Sequence, residues 1–202
     1  MPKEKQPGDK GGALFRRRRF WARTSAMQML YQLDMQKTWE PDSNLLENFD
    51  ELLATDGLLA EIDAELNPDD CNKAREYAWQ LVAGVTEHHR ELDDMIRPAA
   101  LNWSLERISA VDRAILRLSA YEISKVGKVT PATAINEAVE LAKRFGQAES
   151  PRFINGVLGT LLAQRQTLLD SLHISVPEPA TDSEGSAISS EESPEPGGAP
   201  DS

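Results

Sequence analysis

The sequence predicts an all-α bundle of six or seven helices, on three observations. Apolar residues recur at helical spacing in each well-patterned segment, and start and stop residues flank those segments. No stretch offers sustained β alternation, nor do two β-branched runs flank an Asn-Gly turn; the one Asn-Gly, Asn155–Gly156, lies inside a helical pattern.

The first element lies in residues 14–36, "LFRRRRFWARTSAMQMLYQLDMQ". Ala22, Ser25, Ala26, Met29, Leu30 and Leu33 form one apolar stripe running to about Lys37, and Arg19, Arg23 and Gln28 lie mostly off it, where they can face outward. Residues 38–70 hold short apolar pairs among many acids and predict one or two short helices. From Cys71 the pattern sharpens: Ala74, Tyr77, Ala78, Leu81, Val82 and Val85 share a face that Leu92 and Ile96 continue, until Pro98 stops the helix. In "ISAVDRAILRLSAYEIS", Ser109 with Asp112 three residues later makes a capping box, and Val111, Ile115 and Leu118 make the stripe. Thr130–Pro131 is a start signal for a helix carrying Ile135, Ala138, Val139, Ala142 and Phe145, which Gly146 terminates. Ser150–Pro151 opens the last helix, where Phe153 or Ile154, then Val157, Leu158, Leu161 and Leu162, pack inward.

Three regions follow from composition. Residues 1–13 have almost no large apolar side chain and read as a disordered basic tail. Residues 14–175 hold the helical domain. Residues 176–202, "VPEPATDSEGSAISSEESPEPGGAPDS", read as a disordered acidic tail rich in Pro, Ser and Glu. No apolar run approaches the roughly 20 residues of a membrane span, and no secretory signal is evident. The lone Cys71 fits a reducing compartment, so a soluble cytoplasmic protein is expected.

Catalytic and metal chemistry find little support. His88–His89 is adjacent rather than spaced i, i+4, so the pair suits a polar helix surface better than a metal. Asp93–Asp94 reads as a solvated face. "GKVTPAT" lacks the phosphate-loop pattern, and Cys71 reads as an inert thiol. No catalytic residue, metal or cofactor is expected.

The charge distribution is more informative. The net charge is −11, yet residues 1–23 carry eight Lys or Arg against Glu4 and Asp9, while residues 176–202 carry seven acids and no base. Arg16, Arg17, Arg18 and Arg19 sit where the first helix is expected to begin, the end at which the helix dipole disfavours positive charge. A ligand that supplies negative charge would offset that. RNA suits the arm, since guanidinium takes phosphate in a bidentate way and Phe15, Phe20 and Trp21 offer stacking faces. A solvated or protein-binding arm and an anionic membrane surface are the alternatives; against the membrane, the stripe of Ala and Met looks core-directed. The acidic tail screening the arm in the absence of a partner competes with a merely solubilising tail.

A resemblance narrows these readings. "ARTSAMQMLYQLD", "VDRAILRLSAYEI", "VTPATAINEAVELAKRFG" and "RFINGVLGTLL" occur in this order, and over about residues 16–170 the chain resembles the bacterial transcription antitermination factor NusB family. The resemblance implies a compact bundle of about seven helices in two packed helical subdomains. It also implies binding of boxA-type single-stranded RNA in nascent ribosomal RNA leaders together with NusE, a small-subunit ribosomal protein. The complex then helps RNA polymerase pass terminators. The family's RNA contacts map onto Arg16, Arg17, Arg18, Arg19, Arg23, Gln28, Tyr31, Arg152 and Phe153. Glu149 falls where a residue tempers RNA affinity, and Asp112 where an acid contacts NusE. Each has a plainer reading: Phe153 as core, Tyr31 as packing, Asp112 as a cap, Glu149 as a loop acid. Phe20 and Trp21 interrupt a region that is usually continuously basic in the family, and the acidic stretch and tail are additions. Some relatives form homodimers that cover the RNA face. The helical domain also resembles the N-terminal module of certain ribosomal RNA cytosine methyltransferases, but low-complexity tail stands where the catalytic domain is expected. A protein-interaction module without RNA binding is the other alternative.

Overall fold

Five α-helices, one 3-10 turn and one π turn carry the chain in the computed structural model, which describes residues 9–39, 68–101, 103–127 and 129–171. The helices are α1 (Asp9–Gln36), α2 (Pro68–Ala99), α3 (Ala110–Tyr121), α4 (Pro131–Phe145) and α5 (Ser150–Ser171). The 3-10 turn, Leu105–Arg107, precedes α3, and the π turn, Glu122–Val126, continues it. No strand occurs among the described residues. The short helices expected within 38–70 fall mostly at positions 40–67, outside the described residues, as do positions 1–8 and the whole acidic tail.

Local signals set most boundaries. The Ser109 hydroxyl accepts the Asp112 backbone N–H at 3.1 Å and opens α3. Thr130 does the same for Thr133 at 3.2 Å, with Pro131 in the first helical position, where its missing N–H is no loss. Asp69 and Asp70 lie in the first turn of α2, as the dipole favours. Pro98 sits one residue before the end of α2. Gly146 closes α4 with extended backbone, and a Cβ there would stand 2.6 Å from Ser150 Cβ and 2.7 Å from the Ala142 carbonyl oxygen. Gly127, at φ +63°, ends the π turn in the left-handed region that suits glycine.

Helix α3 is the hub, touching every other helix. α1 packs on α2 and α3, while α5 packs on α4, α2 and α3. Leu30 and Leu33 of α1, Leu81, Leu92 and Ile96 of α2, Ile115 and Leu118 of α3, Leu141 of α4 and Ile154 of α5 are fully buried in one core. α2 meets α3 closely at Gly84, where a Cβ would fall 2.0 Å from the Tyr121 ring.

Three expectations need correcting. α1 begins at Asp9, inside the segment read as a tail, so Arg16–Arg19 lie about two turns in rather than at its start. The dipole acts within the first turn, so it imposes no penalty on them. Once nucleated, a helix extends cheaply, and Gly11–Gly12 weaken it by only about 1 kcal/mol each. Second, Asp93 is buried rather than solvated: Arg117 donates to it from Nε at 2.6 Å and Nη2 at 2.9 Å. Asp94 is exposed and pairs with Arg97. Third, residues Trp21–Met27 are all buried, nearly two turns, so no side of α1 faces water there.

A second, half-buried carboxylate joins the Arg117 pair. Asp34 at the end of α1 accepts from Arg117 Nη1 at 2.7 Å and Arg113 Nε at 2.9 Å. Burial works against the Asp34 charge, but the two guanidinium groups outweigh it and hold its carboxyl below the usual range. Arg113 also donates to the Leu105 and Ile108 carbonyls at 3.1 and 2.7 Å, fixing the 3-10 turn to α3.

Candidate nucleic-acid interface

The basic segment of α1 divides into an exposed and an anchored part. Arg16 and Arg17 are exposed. Arg18 is half-buried and pairs with Asp70 at 3.0 Å. Arg19 lies 3.8 Å from the centroid of the Tyr77 ring, a close cation–π contact. Phe15 is exposed, but Arg18 and Arg19 lie over its ring at 5.3 and 5.2 Å. Phe20 is half-buried against the core and Trp21 is buried in it. The stacking faces expected from these three aromatics are thus largely occupied. Arg18 and Arg19 line a cleft of about 570 Å³ with Lys73 and Lys125, where Glu76 and Glu87 set two carboxylates against the four cations.

Arg23 is not an outward phosphate ligand. It is 3% exposed, and Glu122 of the π turn accepts from its Nη2 and Nε, both at 2.9 Å. The Tyr77 hydroxyl donates to Glu122 at 2.5 Å, and Glu137 stands 3.4 Å from Arg23 Nη1. Burial disfavours the Arg23 charge, but Glu122 more than compensates and holds the guanidinium firmly protonated. Tyr77, buried beside the Glu122 carboxylate, is pushed above the ordinary phenol range. Burial likewise raises the Glu137 carboxyl, against the pull of Arg23. The expected outward direction fails because α1 is covered on all sides at this level.

Further along α1, Gln28 is half-buried and Tyr31 is 37% exposed, so the tyrosine presents its ring to solvent. Arg17, Gln28 and Tyr31 fall within about 60° of one another around the helix axis.

The start of α5 builds a second group. Arg152 and Glu149 are exposed, and Phe153 is half-buried against the core, between the two readings of it. Asp112 is 7% exposed, and its Oδ2 accepts the Ser150 hydroxyl at 3.0 Å. Its Oδ1 is buried with no hydrogen-bond partner among the described residues, although it lies beside a groove of about 230 Å³ shared with Trp103, Glu149, Ser150 and Phe153. A buried carboxylate oxygen left without a donor is unfavourable, and a partner's N–H reaching into the groove would relieve it. The structure therefore gathers Asp112, Glu149, Arg152 and Phe153 at one place, while the arginines lie on α1, which packs on α2 and α3 rather than on α5.

Sequence reasoning missed Trp103. It is 53% exposed and meets the Phe153 ring edge-on at 5.8 Å. Its signal was a tryptophan in a short loop, outside any helical stripe. His88 and His89 are half-buried, His88 stacking on Tyr121 and His89 on Trp39. No group of potential metal ligands occurs among the described residues, and none of the helices among them is long and apolar enough to cross a membrane.

Comparison with known proteins places this arrangement. Residues 21–163 match the family model described as the NusB family. A transcription antitermination protein NusB from Symbiobacterium thermophilum is 39% identical over 142 residues, covering 70% of this chain and 86% of that protein. The corresponding protein from Desulfotalea psychrophila is 43% identical over 142 residues, covering 70% and 92%. Among solved structures, one of the antitermination factors NusB and NusE in complex with double-stranded RNA matches with a TM-score of 0.57 at 28% identity, covering 73% of this chain and 98% of that one. The chain belongs to the NusB family.

Proposed function

We propose that the chain is a transcription antitermination factor, binding boxA-type RNA of nascent ribosomal RNA leaders together with NusE and promoting read-through of terminators by RNA polymerase. The observation that carries this is the orphaned Asp112 oxygen beside a groove lined by Glu149 and Phe153, with Arg152 in the adjoining cleft, in a family with a solved NusB–NusE–RNA complex. Asp112 is the acceptor for NusE. Arg16, Arg17, Arg18, Arg19 and Arg152 supply phosphate contacts, and Gln28, Tyr31 and Phe153 supply base contacts. Glu149 sets an upper limit on RNA affinity by like-charge repulsion. Arg23 acts on RNA only by holding α1 in place.

The protein acts as an adaptor without catalysis, in the cytoplasm. The chain forms about seven helices in two subdomains: α1 packs with α2, α4 packs with α5, and α3 joins them, which supports that division.

Fluorescence anisotropy of a short boxA-type RNA against a scrambled one, with and without NusE and at two salt concentrations, tests the reading. Preference for boxA that tightens with NusE is expected. Absence of RNA binding even with NusE would leave a helical protein-interaction module.

A further inference from the structure

The loop between α2 and α3 carries two of the five exposed large apolar side chains among the described residues. Leu101 is 69% exposed and Trp103 53%, whereas Trp21 is buried and Trp39 and Trp79 are half-buried. The loop is nevertheless tightly held. The Trp103 backbone N–H donates to the Ala100 carbonyl at 3.0 Å, Leu105 and Ile108 are buried, and Arg113 binds both of their carbonyls. An anchored loop that displays a tryptophan needs an explanation beyond packing, since indole surface left in water contributes nothing to folding.

Trp103 stands at a boundary. On one side is the groove with the orphaned Asp112 oxygen. On the other is a cleft of about 470 Å³ lined by Leu101, Glu149, Arg152, Phe153 and Gly156, within the range of about 300–1,000 Å³ usual for ligand sites. Trp103 and Phe153 meet at 63°, edge to face, so no base enters between them. Phe153 instead braces the indole, more than half of which stays exposed. Arg152 provides a cation on the rim for the adjoining phosphate, and the Glu149 carboxylate repels the backbone from its own side. Together these turn a nucleotide base-inward.

We infer that Trp103, braced by Phe153, is a stacking platform for one unpaired base of the bound RNA, beside the partner groove at Asp112. This rests on the RNA-binding reading and adds to it a residue and a requirement for a single-stranded base. A rigid indole loses little freedom on stacking, which suits sequence-tolerant base contact.

The test titrates the full chain with a short single-stranded boxA-type RNA while reading tryptophan emission and anisotropy. Stacking quenches the emission of the exposed indole. Trp103→Phe is expected to lose that quenching while keeping most of the affinity. Trp103→Ala, at an exposed position and checked for fold by circular dichroism, should weaken binding about 10-fold or more, the range of base–aromatic stacking. Its log–log salt dependence should be unchanged, because no phosphate contact is removed, whereas Arg152→Ala should lower the slope. A fully paired duplex should not quench Trp103. Quenching that persists in Trp103→Phe, or wild-type affinity in Trp103→Ala, overturns the platform while leaving RNA binding intact. Trp103→Ala that weakens NusE binding but not RNA binding assigns the indole to the protein partner and overturns it too. Wild-type protein that binds no RNA removes the functional reading itself.

Discussion

At the scale of single residues, Arg23 separates structural charge from functional charge. Arg23→Met should leave Glu122 buried without its cation and lower stability by about 3–5 kcal/mol in chemical denaturation. RNA affinity measured on the remaining folded fraction should change much less. Restoring stability by pairing Arg23→Met with Glu122→Gln would show that the loss lies in the uncompensated carboxylate. Asp34 makes a pH-dependent prediction. Its folded pKa lies below the ordinary value, so its stabilisation is fully present above roughly pH 4 and is lost as pH falls through the depressed value. Asp34→Asn should therefore destabilise the protein at neutral pH and flatten the acid limb of its stability curve. Neither role was legible in the sequence. An apolar stripe is found by counting hydrophobes, so a buried arginine registers as a flank, and Glu122 lies 99 residues away from Arg23. Ser109 was legible as a cap, because its partner, the Asp112 N–H, is three residues distant, but the Asp112 side chain does not complete the capping box and binds Ser150 instead.

At the scale of elements, the boundaries that matched expectation are those set by neighbours in sequence: Ser109, Thr130–Pro131 and Gly146. The start of α1 did not, because helix extension depends on the whole turn-by-turn balance rather than on a punctuating residue. Gly84 shows an element-scale constraint invisible in the sequence, since its need for a hydrogen atom comes from the Tyr121 ring across the α2–α3 interface. Gly84→Ala should cost about 1–3 kcal/mol by overpacking, despite the higher helix propensity of Ala. Shortening Tyr121 in the same chain should recover part of that loss, and thermal unfolding of the two variants measures the coupling. The π turn is a further case: it opens at Glu122, the partner of Arg23, and nothing in "YEISKVG" announces it.

At the scale of the molecule, the all-helical class was legible because 3.6-residue periodicity survives in α2, α3 and α4. The gathering of Asp112, Glu149, Arg152 and Phe153 was not, because it depends on how α5 docks on α3. The strong charge asymmetry of the chain belongs to this scale as well. With Arg16–Arg19 and Arg152 engaged, about five phosphate contacts predict a log–log salt slope near −3.5 for single-stranded RNA. Removing residues 176–202, which carry seven acids, should raise affinity most at low salt if the tail reaches the RNA site, as salt titration of the truncated chain would show.

The two ion-pair systems of α1 have a mechanical consequence when taken together. Arg23 and Asp34 are eleven residues apart on α1, about three full turns, so they leave the helix in nearly the same direction, some 16 Å apart along its axis. Both bind the segment formed by α3 and its π turn: Arg23 at Glu122, Asp34 at Arg113 and Arg117. A cylinder pinned at two points along one side cannot roll. The azimuth of Arg17, Gln28 and Tyr31 is therefore fixed before any RNA arrives, and a single-residue insertion between the pins would swing one of them by about 100° and release that lock.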